Sequence, residues 1–241
     1  MNKRIFAILV AICVILPVLA GTSRNVKADS SPVLSLQSAY TPSTNVAPRD
    51  IGQTFTLKLH VDNVTNLWSW KVKLTWDPTY LNMTTDPTEN PFLNNVNGTL
   101  FLSTPYANTP GTINLVSDTS LGSLGASGNG DLATFNFTLI AHGYNYTTIN
   151  ITDAVMQDFN NPIAFTTVGA IVRNTVPGDV SGSTLGVTDG TVNMRDIAYL
   201  VSLFNTKPSS PNWNPNADVN VDGVVNMRDI AIAIAHFNQH I

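Results

Sequence analysis

The heptapeptide VNMRDIA stands at residues 192–198 and again, 33 positions later, at residues 225–231. From each copy an apolar spacing of i, i+3, i+4, i+7 runs onward: Ile197, Leu200, Val201 and Phe204, then Ile230, Ala233, Ile234 and Phe237. An identical repeat with helical periodicity restricts the C-terminal part of the chain to two copies of one small unit. The spacing predicts two helices that turn these residues toward a common core. Between them lies KPSSPNWNPNA, where Pro208, Pro211 and Pro215 bar a continuous helix. Trp213 in this connector is expected to cover the seam between the helices.

Directly ahead of the second helix comes DVNVDGVVNMRD, a twelve-residue loop with an oxygen donor at every alternate position. Asp218, Asn220 and Asp222 fill positions 1, 3 and 5, Gly223 permits the turn at 6, Val224 offers its carbonyl at 7, and Asn226 and Asp229 fill 9 and 12. A hard cation such as calcium takes six to eight oxygens from this pattern. The departure from the usual loop is Asp rather than Glu at position 12. The competing reading is a polar turn that caps the helix with Asp229.

The first copy, DVSGSTLGVTDGTVNMRD, has the same ends with GSTLGV inserted between the third and fifth positions. Asp179, Ser181, Asp189, the Thr191 carbonyl, Asn193 and Asp196 align with the second set, which predicts a second calcium site around a bulged loop. Its alternative is a loop that keeps the fold without metal. VPG precedes one loop and NPNA the other, so neither has an incoming helix, and each unit is half of an EF-hand.

Upstream, the apolar period changes to two. Phe55, Leu57, Leu59 and Val61 share one face, Trp68, Trp70, Val72, Leu74 and Trp76 another, and Phe135, Phe137 and Leu139 a third. Turns such as Asp77-Pro78 and Asn97-Gly98 punctuate these runs, and no helix of useful length is expected among them. The prediction is a mainly β chain: an antiparallel jelly-roll sandwich over residues 29–173, a linker at 174–178, and a small α domain of two calcium-loop repeats over 179–241. The linker reaches about 17 Å at full extension, which makes it difficult for the tail to fold back onto its own sandwich. Trp68, Trp70 and Trp76 are expected in the core rather than on a sugar ring.

Lys3 and Arg4, an apolar run from Ile5 to Ala20, and small residues after it predict a signal peptide over residues 1–28, and hence a secreted, extracellular or cell-surface protein. An uncleaved membrane anchor is the alternative. The single cysteine, Cys13, lies inside this segment, so no disulfide staples the rest and metal is the candidate. Net charge is −4 with no basic cluster beyond residue 30, which argues against nucleic acid as a partner. Asn63, Asn82, Asn97, Asn136, Asn145 and Asn150 head N-x-T triplets, and the four histidines show no metal-ligand spacing.

Two loop-plus-helix repeats with the D-V-N-x-D-G-x-x-N-x-x-D pattern, together covering residues 177–240, resemble the dockerin family. The upstream run TFTLKLHVDNVTNLWSWKVKLTWDPTYLNM and the later DLATFNFTLIA resemble the cohesin family, the partner modules of dockerins, whose sandwich is related to some carbohydrate-binding modules. The resemblance implies that Met194, Arg195, Met227 and Arg228 belong to a partner-recognition surface, and that partners carry dockerin or cohesin modules.

Glycoside hydrolysis, a common companion of dockerins, needs two carboxylates across a cleft. Glu89 is the only glutamate, six aspartates are committed to the loops, and Asp118 and others fall near strand ends or turns, so an enzyme is not expected. The expected function is a noncatalytic adaptor assembling proteins through calcium-dependent cohesin–dockerin pairing, in a setting of extracellular polysaccharide binding or degradation. Two alternatives remain: a carbohydrate-binding module recruited by its dockerin, and a structural surface protein that associates head to tail with itself.

Overall fold

The structure is a computed structural model and describes residues 31–39 and 43–241. The signal segment expected at 1–28, with Cys13, lies outside the described residues. None of the described helices is long and apolar enough to cross a membrane.

Among the described residues, twelve strands form two six-stranded sheets. The first sheet holds β1 (Val33–Ser38), β3 (Thr54–Leu67), β5 (Leu81–Met83), β6 (Thr88–Glu89), β9 (Ala126–Leu139) and β11 (Thr166–Val168). The second holds β2 (Asn45–Val46), β4 (Ser69–Trp76), β7 (Thr99–Ser103), β8 (Thr112–Ser120), β10 (Tyr146–Gln157) and β12 (Ala170–Arg173). Their orders are β11-β1-β3-β9-β5, with β6 also on β9, and β2-β12-β10-β4-β8-β7. Pairing is antiparallel except β1 with β11 and β2 with β12, which are parallel.

The period-two residues meet between the sheets. Phe55 of β3 stacks on Phe137 of β9 at 5.8 Å, and Trp76 of β4 meets Phe137 edge-on at 5.2 Å across the interior. Trp70 and Trp76 are core residues, and the Trp76 indole N–H donates to the Leu81 carbonyl at 3.0 Å. Trp68 is not a core residue: it precedes β4, packs edge-on against Phe159 at 5.3 Å, and donates to the Gly122 carbonyl at 2.6 Å. One helix interrupts the strands against expectation, α1 (Pro91–Asn97), started by proline at its first turn and stopped by Gly98 at φ 73°. The Asn97-Gly98 turn is thus the end of that helix. It buries Leu93 in the sandwich core.

The tail contains α2 (Met194–Ser202) and α3 (Met227–Ala235), each nine residues long. Each loop end pairs with the tail of the other helix. Asn205 N–H donates to the Val225 carbonyl at 2.7 Å and Asn238 N–H to that of Val192 at 2.8 Å, while Val225 donates to Thr206 at 3.1 Å and Val192 to Gln239 at 2.9 Å. Both asparagines have φ 66°, the left-handed turn that ends a helix. These four bonds, offset by the repeat length, give the module its pseudo-twofold symmetry. Val192, Leu200, Leu203, Val225, Ile230 and Ala233 form its small core, and Trp213 packs against it as expected.

Two sequence expectations need correction here. Val201, Phe204, Ile234 and Phe237 are exposed, because a two-helix module buries only a narrow stripe and both phenylalanines fall after the helices have ended. The connector at 174–178 is not an open linker: all five residues are buried, and the tail packs against the near end of its own sandwich.

Candidate functional site

The second loop is shaped by its own carboxylates. Asp218 accepts from the N–H groups of Asp222 (3.0 Å) and Gly223 (2.8 Å), and Gly223 takes φ 89°, open to glycine and costly for other residues. Asp229 closes the loop on itself: Oδ1 accepts from Val219 (2.8 Å) and Asn220 (3.2 Å), and Oδ2 from Asn226 (2.8 Å). The Asn226 side chain caps α3 by accepting from Arg228 N–H at 2.8 Å. Its amide nitrogen donates to the Val224 carbonyl at 3.0 Å and to Asp222 at 3.2 Å. Positions 5, 7 and 9 of the expected ligand set therefore meet at one side chain.

The first loop reproduces this network despite its insertion. Asp179 accepts from Asp189 (3.2 Å) and Gly190 (2.9 Å), Asp196 from Val180, Ser181 and Asn193 (2.8 Å each), and Asn193 reaches the Thr191 carbonyl at 3.4 Å. The insertion opens the loop at the place where the second copy holds Val221 at φ 58°, a strained conformation for a β-branched residue. The six extra residues thus enter at the tightest point of the turn and leave its ends in register. Ser181 differs from Asn220 in being wholly buried and in accepting from Gly186 N–H at 3.1 Å.

Asp179, Asp196, Asp218 and Asp229 are buried. Burial, reinforced by the Asp196 and Asp189 carboxylates, pushes Asp179 up to about 6. Burial and then the Asp229 and Asp222 charges likewise raise Asp218. A donor set made only of oxygens, with three carboxylates per loop, suits a hard divalent cation. Among the described residues no three acidic or histidine side chains converge on one point as a metal cluster; the carboxylates are turned onto backbone N–H groups instead.

The four residues expected to face a partner lie on the surface. Met194 and Met227 are 63% and 62% exposed, and Arg195 and Arg228 are exposed beside them. Arg228 reaches Asp222 at only 3.8 Å, a weak and solvent-screened pair. Each methionine continues into an exposed apolar line, Met194–Ala198–Val201 on α2 and Met227–Ala231–Ile234 on α3. Sequence reasoning assigned Val201 and Ile234 to the core. Their i+7 offset from the methionines was the signal that they share the outward face.

Asp118, expected near a turn, is wholly buried in the sandwich beside Glu89, whose Oε1 accepts from the Thr99 hydroxyl. Asp118 itself offers no face to a substrate. The histidines hold structure: His60 pairs with Asp131 at 2.7 Å and His142 with the Arg49 carbonyl at 3.0 Å.

Two family models match the two parts of the chain. The model of the cohesin domain matches residues 43–171, more than half of the chain, and that of the dockerin type I domain matches residues 187–238. The second match includes the whole second loop and starts inside the insertion of the first. Similar solved structures include a non-cellulosomal cohesin from the hyperthermophilic archaeon Archaeoglobus fulgidus, at 18% identity over 60% of this chain and 91% of that one, TM-score 0.47. Another is a type II cohesin domain from the cellulosome of Acetivibrio cellulolyticus, at 15% identity over 59% and 95%, TM-score 0.47. A third is CaCohA2 from Clostridium acetobutylicum, at 15% identity over 60% and 91%, TM-score 0.47. The comparison with curated proteins finds no match. The chain therefore belongs to the cohesin family, with a dockerin type I domain following its cohesin domain.

Proposed function

We propose that this protein is a secreted, noncatalytic adaptor whose cohesin domain receives the dockerin of one partner while its own dockerin domain enters the cohesin of another. The observation that carries this reading is the presence of both halves of a recognition pair on one chain. Both matched domains are of a noncatalytic kind. The partner-facing residues are Met194, Arg195, Met227 and Arg228, extended by Val201 and Ile234. Self-association is the case in which both partners are copies of this chain, a heterologous contact that propagates unless it closes. Lys3, Arg4 and the apolar run behind them support secretion, and assembly around extracellular polysaccharide is the setting that the family suggests.

Calcium belongs to the reading at both loops. Asp218, Asn220, Asp222, the Val224 carbonyl, Asn226 and Asp229 hold one ion; Asp179, Ser181, Asp189, the Thr191 carbonyl, Asn193 and Asp196 hold the other. The ion supplies the positive charge that lets the three carboxylates of each loop, two of them buried, stay ionised together. With no disulfide and a small apolar core, the tail draws much of its folding free energy from that binding.

The test uses the full chain in calcium and in chelator, with hydrogen exchange read along the backbone and binding measured to panels of isolated cohesins and dockerins. In chelator, protection is expected to vanish across residues 194–235 and to persist in β3, β4 and β9, with cohesin binding lost in parallel. Unchanged protection of α2 and α3 without calcium would sink the metal assignment. Failure to bind any cohesin or dockerin, and to self-associate in sedimentation, would sink the adaptor reading.

A further inference from the structure

The junction between the two domains is built as an interface. Nine consecutive residues, 174–182, are buried. Asn174 is fastened to the sandwich at both ends of its peptide: its carbonyl accepts from Gly143 N–H at 2.7 Å, and its N–H donates to the Asn145 carbonyl at 3.3 Å. Gly178, at φ 94°, passes so close to α3 that a Cβ on it would stand 2.4 Å from the Ala233 Cα. A side chain there would force the tail away.

Three further ties reach the same end of the sandwich from different parts of the tail. Arg173, the last residue of β12, extends its guanidinium into the entry of the second loop and donates to the carbonyls of Asn216 (3.4 Å), Asp218 (3.1 Å) and Pro215. Burial there lowers the guanidinium from its ordinary value, and the Asp218 and Asp229 carboxylates offset this only in part. Thr188 of the first loop donates its hydroxyl to the Tyr144 carbonyl. His236, just past α3, meets the Asp50 carboxylate at 3.1 Å with Nε2 while Nδ1 meets the Ile232 carbonyl at 2.7 Å. Both loops and a helix end are thus held by one surface, and the exposed Met194, Arg195, Met227 and Arg228 are not among the residues that make these ties.

We propose that this end of the sandwich is a docking surface whose occupant is the dockerin domain of the same chain, that the two domains form one rigid unit, and that Arg173 is the residue positioning the second loop within it. A planar guanidinium spans three carbonyls in a fixed fork, so it fixes the course of residues 215–218, where the loop begins. Undocking strands those groups without their partners. Whatever orders the second loop must then strengthen docking by the same factor by which docking strengthens it, since coupling between sites is reciprocal. The docking stands on its own contacts, whereas its coupling to calcium rests on the metal assignment proposed above.

The experiment measures nuclear-spin relaxation and calcium calorimetry on the full chain. In calcium, amides of β3 and β9 and amides of α2 and α3 are expected to report one rotational correlation time. Arg173→Ala should shorten the tail's time and weaken calcium binding at one of the two sites by about fivefold or more, without altering the sandwich's own unfolding. Arg173→Lys should not restore either, because a single ammonium nitrogen lacks the planar fork whose two separate nitrogens reach these carbonyls. Asp50→Ala, a change at a half-buried residue far from the loops in sequence, should shorten the tail's time even if Arg173→Ala folds poorly. Separate correlation times in the parent protein, or unchanged times and unchanged calcium affinity in both alanine variants, would overturn the proposal. A chain that binds no calcium yet keeps one correlation time would retain the docking and remove only the metal assignment.

Discussion

Asp118 is a carboxylic acid in the interior of a β-sandwich, and its surroundings set when it can ionise. Burial, followed by the Glu89 carboxyl beside it, raises it from 3.8 to about 6, and the Thr119 N–H that it accepts from at 2.8 Å only partly offsets this. The folded protein holds this proton more tightly than the unfolded chain does. Stability from this group is therefore complete below about pH 4 and lost as pH rises through about 6. Asp118→Asn keeps the shape and can donate to Glu89 permanently. It is expected to raise unfolding stability at pH 7.5 by on the order of 2 kcal/mol and to flatten the decline between pH 4 and 6. Urea unfolding across that range checks it; a variant less stable than its parent at pH 7.5 would contradict the account. The sequence hid this residue because Asp is a frequent turn former, although Asp118 shares the inward parity of Val116 on β8.

At the scale of elements, the two tail helices are short and depend on their starts. Each begins with an asparagine cap and an aspartate three residues on, reciprocally bonded as a capping box. Asp229 does this while also binding Val219 and Asn220, so one side chain starts a helix and closes a loop. In calcium, Asn226→Ala is expected to reduce the stability of α3 by at least the roughly 1 kcal/mol of its cap, and Asp229→Ala by clearly more, read as the free energy of amide exchange across residues 230–235. Equal effects would mean that loop closure adds nothing to the cap. The loops and helix starts were legible because the carboxylates that close each loop and the asparagines that cap each helix are side-chain types at fixed offsets from the helix start. The helix ends and outward faces were not. An apolar run at i, i+3, i+4, i+7 gives a face but not how much of it a partner helix covers, and in a module this thin Val201 and Ile234 remain outside. In the sandwich, strand parity identified the core, whereas Trp68 failed because it sits before β4 rather than on it.

At the scale of the whole molecule, the repeat becomes a statement about binding. The pseudo-twofold bonds of the tail place two identical Met-Arg pairs, Met194 with Arg195 and Met227 with Arg228, at equivalent starts of α2 and α3. Contact with the sandwich is made by residues 188, 215–218 and 236 of the tail and their neighbours, which leaves both pairs exposed. If these pairs form the recognition surface proposed above, a cohesin partner meets either copy, in two poses related by a half turn. Removing one of two equal poses costs RT ln 2, roughly 0.4 kcal/mol, whereas removing both removes the recognition charge altogether. Arg195→Glu and Arg228→Glu are each expected to lower affinity about twofold, and the double variant to abolish measurable binding in calorimetry against a cognate cohesin. The copies differ in what lies behind them: GSTLGV, with Leu185 exposed, adjoins the first, and the Arg173 tie adjoins the second. A partner that touches the insertion prefers one pose, and then one single variant alone removes most of the affinity. Deleting residues 182–187 should in that case restore equality between the two single variants, because the remaining loop has the length and order of its twin.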